Sequence, residues 1–221
     1  MKLVMFDMDG TLIDTQALIA EHMARTFEGA GLAVPTPAQS RRVIGLSLPV
    51  AMARLAGTDD KQVAEKLAES YREHYRASLV SAAGREALFP GARDALAILH
   101  AEAETILGIA TGKGLHGVHR LTQLHDIAGY FSTLQTPDHN PSKPHPGMML
   151  RAMAETGAEK HETVIVGDTT FDIEMGKAAG AKAIGVTWGY HEPEELRAAG
   201  ADILVESYAD LPAAIGQVLE G

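Results

Sequence analysis

Six consecutive residues near the amino end, Phe6-Asp7-Met8-Asp9-Gly10-Thr11, carry the densest chemistry in the chain. They close an apolar run, residues 3–6, of the kind that forms a buried strand. Side chains two apart in a strand lean to the same face, which predicts that Asp7 and Asp9 emerge together. Two carboxylates that close repel and do not both stay ionised cheaply without a cation or a shared proton. A turn selected for stability alone would avoid that pairing, so the two acids read as a site. Gly10 lets the backbone leave the strand in a conformation other residues resist, and Thr11 adds a hydroxyl.

Elements able to gather further groups around this pair recur along the chain. Apolar runs of strand length fall at 3–6, 105–110, 163–166, 183–186 and 203–205, with helix-like stretches at 92–103, 115–124, 146–156, 172–179 and 194–199. Short, fully apolar runs suit parallel strands covered on both faces. The alternation predicts an α/β fold with right-handed crossovers and a doubly wound parallel sheet. Ligands of such sheets bind beyond the carboxyl ends of the strands, so the residues closing each run matter most. These are Thr111-Gly112-Lys113 after the second run and Gly167-Asp168, continuing to Asp172, after the third; Ser142-Lys143-Pro144 precedes a helix. Singly, each has an ordinary reading: Thr111 as a helix cap, Lys143 as a solvated loop charge, Asp168 and Asp172 as caps of the next helix. Jointly, on one rim, they form the equipment for moving a phosphoryl group through an aspartyl-phosphate. A carboxylate attacks phosphorus, a hard cation such as Mg²⁺ neutralises oxygen charge, and lysine and hydroxyl donors clamp the phosphoryl oxygens.

Residues 15–83 break the alternation. Leu18, Ile19, Met23 and Phe27 form a helical stripe, Thr36-Pro37 reads as a helix start, and Asp60 caps a long charged helix running to about residue 81. Val63, Leu67, Tyr71 and Tyr75 are expected together on one side of that last helix. The segment is too long for a loop in a compact domain. The expected organisation is a core of residues 1–14 and 84–221 with a helical cap domain, 15–83, joined by hinges at 14–16 and 83–88.

The pattern Asp7-x-Asp9-Gly10-Thr11, Thr111, Lys143 and Gly167-Asp168-x-x-x-Asp172, in that order, resembles the four signatures of the haloacid-dehalogenase-like (HAD) superfamily. The insertion after the first strand resembles the family's helical cap, and the whole chain is most similar to its phosphoglycolate-phosphatase-like branch. The resemblance implies a phosphoric monoester hydrolase in which Asp7 is the nucleophile and Asp9 the general acid and base. It implies Mg²⁺ held by Asp7, the Asp9 carbonyl and Asp168, with Asp172 orienting Lys143 or metal-bound water. Thr111, Gly112 and Lys143 would receive the phosphoryl group, and Arg42 and Gly45 in the cap would touch the substrate, an Arg fork suiting a carboxylate or second phosphate. It also implies a cis bond before Pro144. Phosphoglycolate is the first expected substrate, with sugar phosphates, nucleoside monophosphates and pyrophosphate as other possibilities. A phosphosugar mutase shares every motif, and a non-catalytic phosphometabolite binder is the reading from another class. A dehalogenase would lack the acid at Asp9, and phosphonate hydrolysis would want a cap lysine for a Schiff base.

Composition narrows the partners. The 221 residues are 46% hydrophobic and 22% charged, with a net charge of −10 and no cysteine. That excludes disulfides, thiolate metal sites and a cysteine nucleophile, and fits a reducing cytoplasm. The acidic balance argues against nucleic acid and anionic membrane as partners, while a bound metal and a few lysines can reverse the field locally for an anionic small molecule. No apolar run reaches membrane-spanning length, and the first run is broken at Asp7, unlike a secretory signal. Gly112-Lys113-Gly114 lacks the spacing of a nucleotide-triphosphate loop, although Lys113 can lend positive potential. The ten histidines show no metalloprotease spacing. A monomer or a homodimer is expected.

Overall fold

The computed structural model describes residues 1–79 and 85–220. The chain starts on β1 (Lys2–Phe6) and turns through the two-residue β2 (Ile13–Asp14). Among the described residues, four helices follow, α1 (Gln16–Gly29), α2 (Pro37–Arg41), α3 (Leu48–Ala56) and α4 (Lys61–Ser78). The equally short β3 (Ala87–Leu88) then pairs antiparallel with β2, Ile13 opposite Leu88 and Asp14 opposite Ala87. The outgoing and returning chains therefore lie side by side where the hinges are expected. Residues 83 and 84 of the second hinge, and residues 80 and 81 at the expected end of α4, lie outside the described residues.

Beyond β3 the elements alternate. They are α5 (Ala92–Ala101), β4 (Thr105–Ala110), α6 (Leu115–Leu124), β5 (Phe131–Gln135), α7 (Gly147–Thr156), β6 (Thr163–Gly167), α8 (Thr170–Ala178), β7 (Lys182–Val186), α9 (Pro193–Ala198), β8 (Ile203–Val205) and α10 (Leu211–Glu220). The large sheet has six parallel strands in the order β5-β4-β1-β6-β7-β8. The chain winds outward from β1 on one side through β4 and β5, then crosses to β6, β7 and β8 on the other. The strand order thus reverses at β1, and the crevice where ligands bind in doubly wound sheets opens beyond the ends of β4, β1 and β6.

The period-two alternation of β1 builds both cores. Val4 and Phe6 pack with Leu96, Leu99, Leu107 and Ile109 on one face. Leu3 and Met5 pack with Met148, Met149, Ile165 and Ile173 on the other. A third apolar cluster joins α1, α3 and α4 through Ile19, Met23, Phe27, Met52, Leu67 and Tyr71, and it reaches Phe171 and Tyr190 beyond the sheet. Asp60 caps α4 as expected, accepting from the backbone of Gln62 and Val63. The buried stripe of α4 is Ala64, Leu67, Ala68 and Tyr71, leaving Val63 38% exposed. The i, i+3, i+4, i+7 rhythm from Ala64 fits the helix period, whereas Val63 sits one step off that face. No helix among the described residues is long and apolar enough to cross a membrane.

Candidate active site

Asp7 is the first residue beyond β1, tied down by its N–H donating to the Val166 carbonyl at 3.0 Å. Its side chain is fully buried. Oδ1 accepts from the Met8 backbone at 2.7 Å and faces Lys143 Nζ at 3.0 Å, while Oδ2 is buried without a hydrogen-bond partner among the described residues. Lys143 is 1% exposed and donates a second time, to Asp172 Oδ1 at 2.5 Å. It follows β5 in a turn closed by a cis Lys143–Pro144 bond. Asp172, in the first turn of α8, uses Oδ2 to accept from both the backbone and the hydroxyl of Thr169. Its capping role and its site role coexist on two oxygens.

Asp168 ends the β6 run and completes the group. Oδ1 accepts from the Thr11 hydroxyl at 2.7 Å and Oδ2 from the Tyr190 backbone at 2.9 Å. Oxygens of Asp7, Asp168 and Asp172 all lie within 4.8 Å of one another. The turn that permits this depends on Gly10, with φ of 88°, because a Cβ there would stand 2.3 Å from Asp168 Oδ2.

Asp9 takes different partners. Its Oδ1 accepts from the Thr15 hydroxyl at 2.7 Å, and Lys113 Nζ lies 3.1 Å from its Oδ2. The like charges expected to repel are thus answered by two separate lysines. The Asp9 side chain lies outside the three-carboxylate group, so any role in metal binding there falls to its main chain. Thr111 is buried and directly follows β4, its N–H held by the Gln135 carbonyl and its hydroxyl accepting from Lys113 N–H at 3.2 Å. Helix α6 is capped at Gly114, so Thr111 is not a helix cap.

A cavity of about 570 Å³ touches Asp7, Asp9, Thr111, Gly112 and Lys113 from the sheet side and Ile19, Met23, Ile44, Gly45 and Tyr71 from the helical segment. The two sides meet closely: a Cβ on Gly112 would lie 2.3 Å from the Leu46 carbonyl oxygen and 2.6 Å from that of Gly45. Ser47 N–H also donates to Ser142 Oγ at 2.8 Å. Arg42, expected at the substrate, is elsewhere. Its guanidinium pairs at 2.8 Å with Glu195, which is itself oriented by accepting from Glu192 N–H, and it does not line the cavity. The arginines that do are Arg72, Arg76 and Arg120. Thr15, Tyr190 and Lys113 are site neighbours that motif reading underweights; Lys113 alone carried a signal, directly after Thr111-Gly112.

The electrostatics fit a hard divalent cation. Burial raises the carboxyls of Asp7 and Asp168 above the usual carboxylate range, and the neighbouring acids push the same way. Burial would lower Lys143, but Asp172 and Asp7 beside it raise it, so the ammonium persists. One ammonium among three buried carboxylates leaves negative charge in excess. An all-oxygen donor set with an unpartnered buried oxygen on Asp7 suits Mg²⁺, which takes a few carboxylates and keeps room for water and phosphate.

Comparison with known proteins agrees with this geometry. A family model described as haloacid dehalogenase-like hydrolase matches residues 4–186. A Dickeya dadantii protein named "Probable phosphatase IndB" is 33% identical over 222 residues, covering 99% of this chain and 95% of that one. A phosphoglycolate phosphatase of Yersinia pseudotuberculosis is 32% identical, covering 96% of this chain and 92% of its own. Among solved structures, a hydrolase from Pseudomonas syringae has the same fold, with a TM-score of 0.84 at 24% identity over 98% of this chain and 99% of that chain.

Proposed function

The chain belongs to the haloacid dehalogenase-like hydrolase family, and from that premise we propose that it is a Mg²⁺-dependent phosphatase hydrolysing a small phosphorylated metabolite through an aspartyl-phosphate. Phosphoglycolate-like acids and sugar phosphates are the two substrate classes the family reading brings forward. The observation that carries the proposal is the joint position of Asp7 and Asp9 on one cavity, each with its own lysine.

In this reading an oxygen of Asp7 attacks phosphorus and the bond to the leaving alcohol breaks. Asp9 gives that alcohol its proton, then takes one from the water that cleaves the acyl phosphate, regenerating Asp7 and releasing phosphate. Lys143 holds Asp7 in one orientation and, with the Thr111 hydroxyl, donates to the transferring oxygens. Mg²⁺ held by Asp7, Asp168 and the Asp9 carbonyl, with Asp172 beside them, would neutralise charge on those oxygens. Residues 15–83 act as a cap over the cavity, excluding water during the first step and readmitting it for the second. The β2–β3 pairing supports this division, since the segment leaves and rejoins the core at one place.

The test is phosphate release from a panel of phosphate esters with and without Mg²⁺. Activity that survives Asp7→Asn, or that ignores chelation, would refute the mechanism. Release without any bisphosphate activator separates a phosphatase from a mutase.

A further inference from the structure

The substrate side of the cavity is unusual in its charge balance. Among the described residues, four lysine and arginine side chains line it, Arg72, Arg76, Lys113 and Arg120. Each is already matched by a carboxylate. Lys113 pairs with Asp9 at 3.1 Å and Arg120 with Glu86 at 2.7 Å. Arg72 reaches Glu65 at 2.9 Å and Glu69 at 3.0 Å, and Arg76 reaches the same Glu69 at 3.1 Å. An anionic leaving group would have to share a cation with an acid that already holds it; Arg120 keeps one buried donor, Nε, without a partner among the described residues. Glu86 is 4% exposed and Asp9 7% exposed, so losing the cation would strand a buried charge. The α4 pairs are more exposed, and their acids, Glu65 and Glu69, sit on the same helix and offset part of the charge of Arg72 and Arg76.

The rest of the wall is apolar. Ile19, Met23, Ile44, Leu48 and Ala51 face the cavity from the helical segment. At about 570 Å³ the space is in the range of pockets that enclose ligands much larger than a two-carbon acid. Apolar lining of that extent gains from removing water only if the ligand brings apolar surface to it.

We infer that this site takes a phosphate monoester whose leaving alcohol is uncharged and bulky, seated against the apolar wall, and that it discriminates against leaving groups bearing a second anion, such as phosphoglycolate and pyrophosphate. The inference rests on the phosphatase reading above and specifies its substrate class.

Steady-state phosphate release with Mg²⁺ from benzyl phosphate, methyl phosphate, phosphoglycolate and pyrophosphate tests it. The expected result is a kcat/KM for benzyl phosphate at least about tenfold above those of phosphoglycolate and pyrophosphate. Ala51→Leu, which narrows the apolar wall, is expected to lower the benzyl-to-methyl ratio of kcat/KM by about tenfold. Because that ratio is read within one preparation, partial misfolding of the variant cancels. Phosphoglycolate or pyrophosphate turned over as well as benzyl phosphate overturns the inference and leaves the phosphatase reading standing. An unchanged ratio in Ala51→Leu also overturns it. Absence of release from all four compounds overturns both.

Discussion

The ammonium of Lys113 stands 3.1 Å from Oδ2 of Asp9, while the Thr15 hydroxyl holds the other oxygen at 2.7 Å. The carboxylate is therefore fixed from two sides by groups that belong to different parts of the chain. Lys113 follows β4, and Thr15 stands just before α1. Burial would lower the Lys113 ammonium, but Asp9 and the nearby tyrosines raise it, so it stays charged. Lys113→Met should lower kcat by about 10- to 100-fold, a part of the full contribution of a general acid. KM should change much less, and Lys113→Arg should restore a share of the loss. A variant that loses KM alone would place Lys113 on the substrate instead of on Asp9.

Asp168 gives a prediction with two signs. Its buried carboxyl, raised by burial and by Asp172 and Asp7, is electrostatically unfavourable until a cation arrives. Mg²⁺ at a hundred times its dissociation constant should stabilise the wild type by about 2.7 kcal/mol, readable as a rise of several degrees in the melting temperature. Asp168→Asn should remove that rise, yet without metal it should melt no lower than the wild type, because one buried negative charge is gone. Thermal melts of both proteins with Mg²⁺ and with chelator decide it. A metal-independent melting curve for the wild type would count against the metal site.

Gly112 marks the contact between the sheet and the helical segment. A methyl group there would stand 2.3 Å from the Leu46 carbonyl oxygen, which is backbone and has no rotamer to escape by. Gly112→Ala should therefore push the turn at residues 43–47 away from β4, while the sheet itself is untouched. Expected is a KM raised by about tenfold or more, consistent with the cost of misplacing a positioning element, and a fold that unfolds at nearly the same denaturant concentration. Unchanged kinetics would mean that the two sides do not close on each other during turnover.

What could be read from residue order, and what could not, divides along physical lines. Asp7, Asp168 and Thr111 were legible because short apolar runs fix strand ends, and a parallel sheet brings consecutive ends to one rim, whereas Lys143 was legible only from its place before a helix and its match to the resembled family's pattern. Strand β5 was not legible: Phe131-Ser132-Thr133-Leu134-Gln135 is an edge strand with mixed burial, lacking the continuous apolar run of a central one. Nor were α4's rotation and the fate of Arg42 readable. Both depend on tertiary packing, in one case which face of α4 meets the third cluster, in the other the placing of Glu195 by its own cap 153 residues away. Thr15 and Tyr190 join the site through side chains that carry no motif, meeting at 3.3 Å across the floor of the helical segment.

His22 supplies a pH dependence remote from the carboxylate group. It is fully buried on α1, edge-on to Tyr71 and Tyr75, with Nε2 at 2.9 Å from Ser78 Oγ and Nδ1 without a partner among the described residues. Burial lowers its pKa below the ordinary 6.5, with Arg25 and His74 acting in the same direction and Glu21 against them. Between that lowered value and 6.5 the unfolded chain binds more protons at this position than the folded one, so stability rises with pH across the window and is lost as pH falls through it. Urea unfolding at pH 5 and pH 7.5 should show the wild type losing stability at the acid end, and His22→Leu should lose less over the same interval. Equal losses in the two proteins would mean that His22 accepts its proton within the fold.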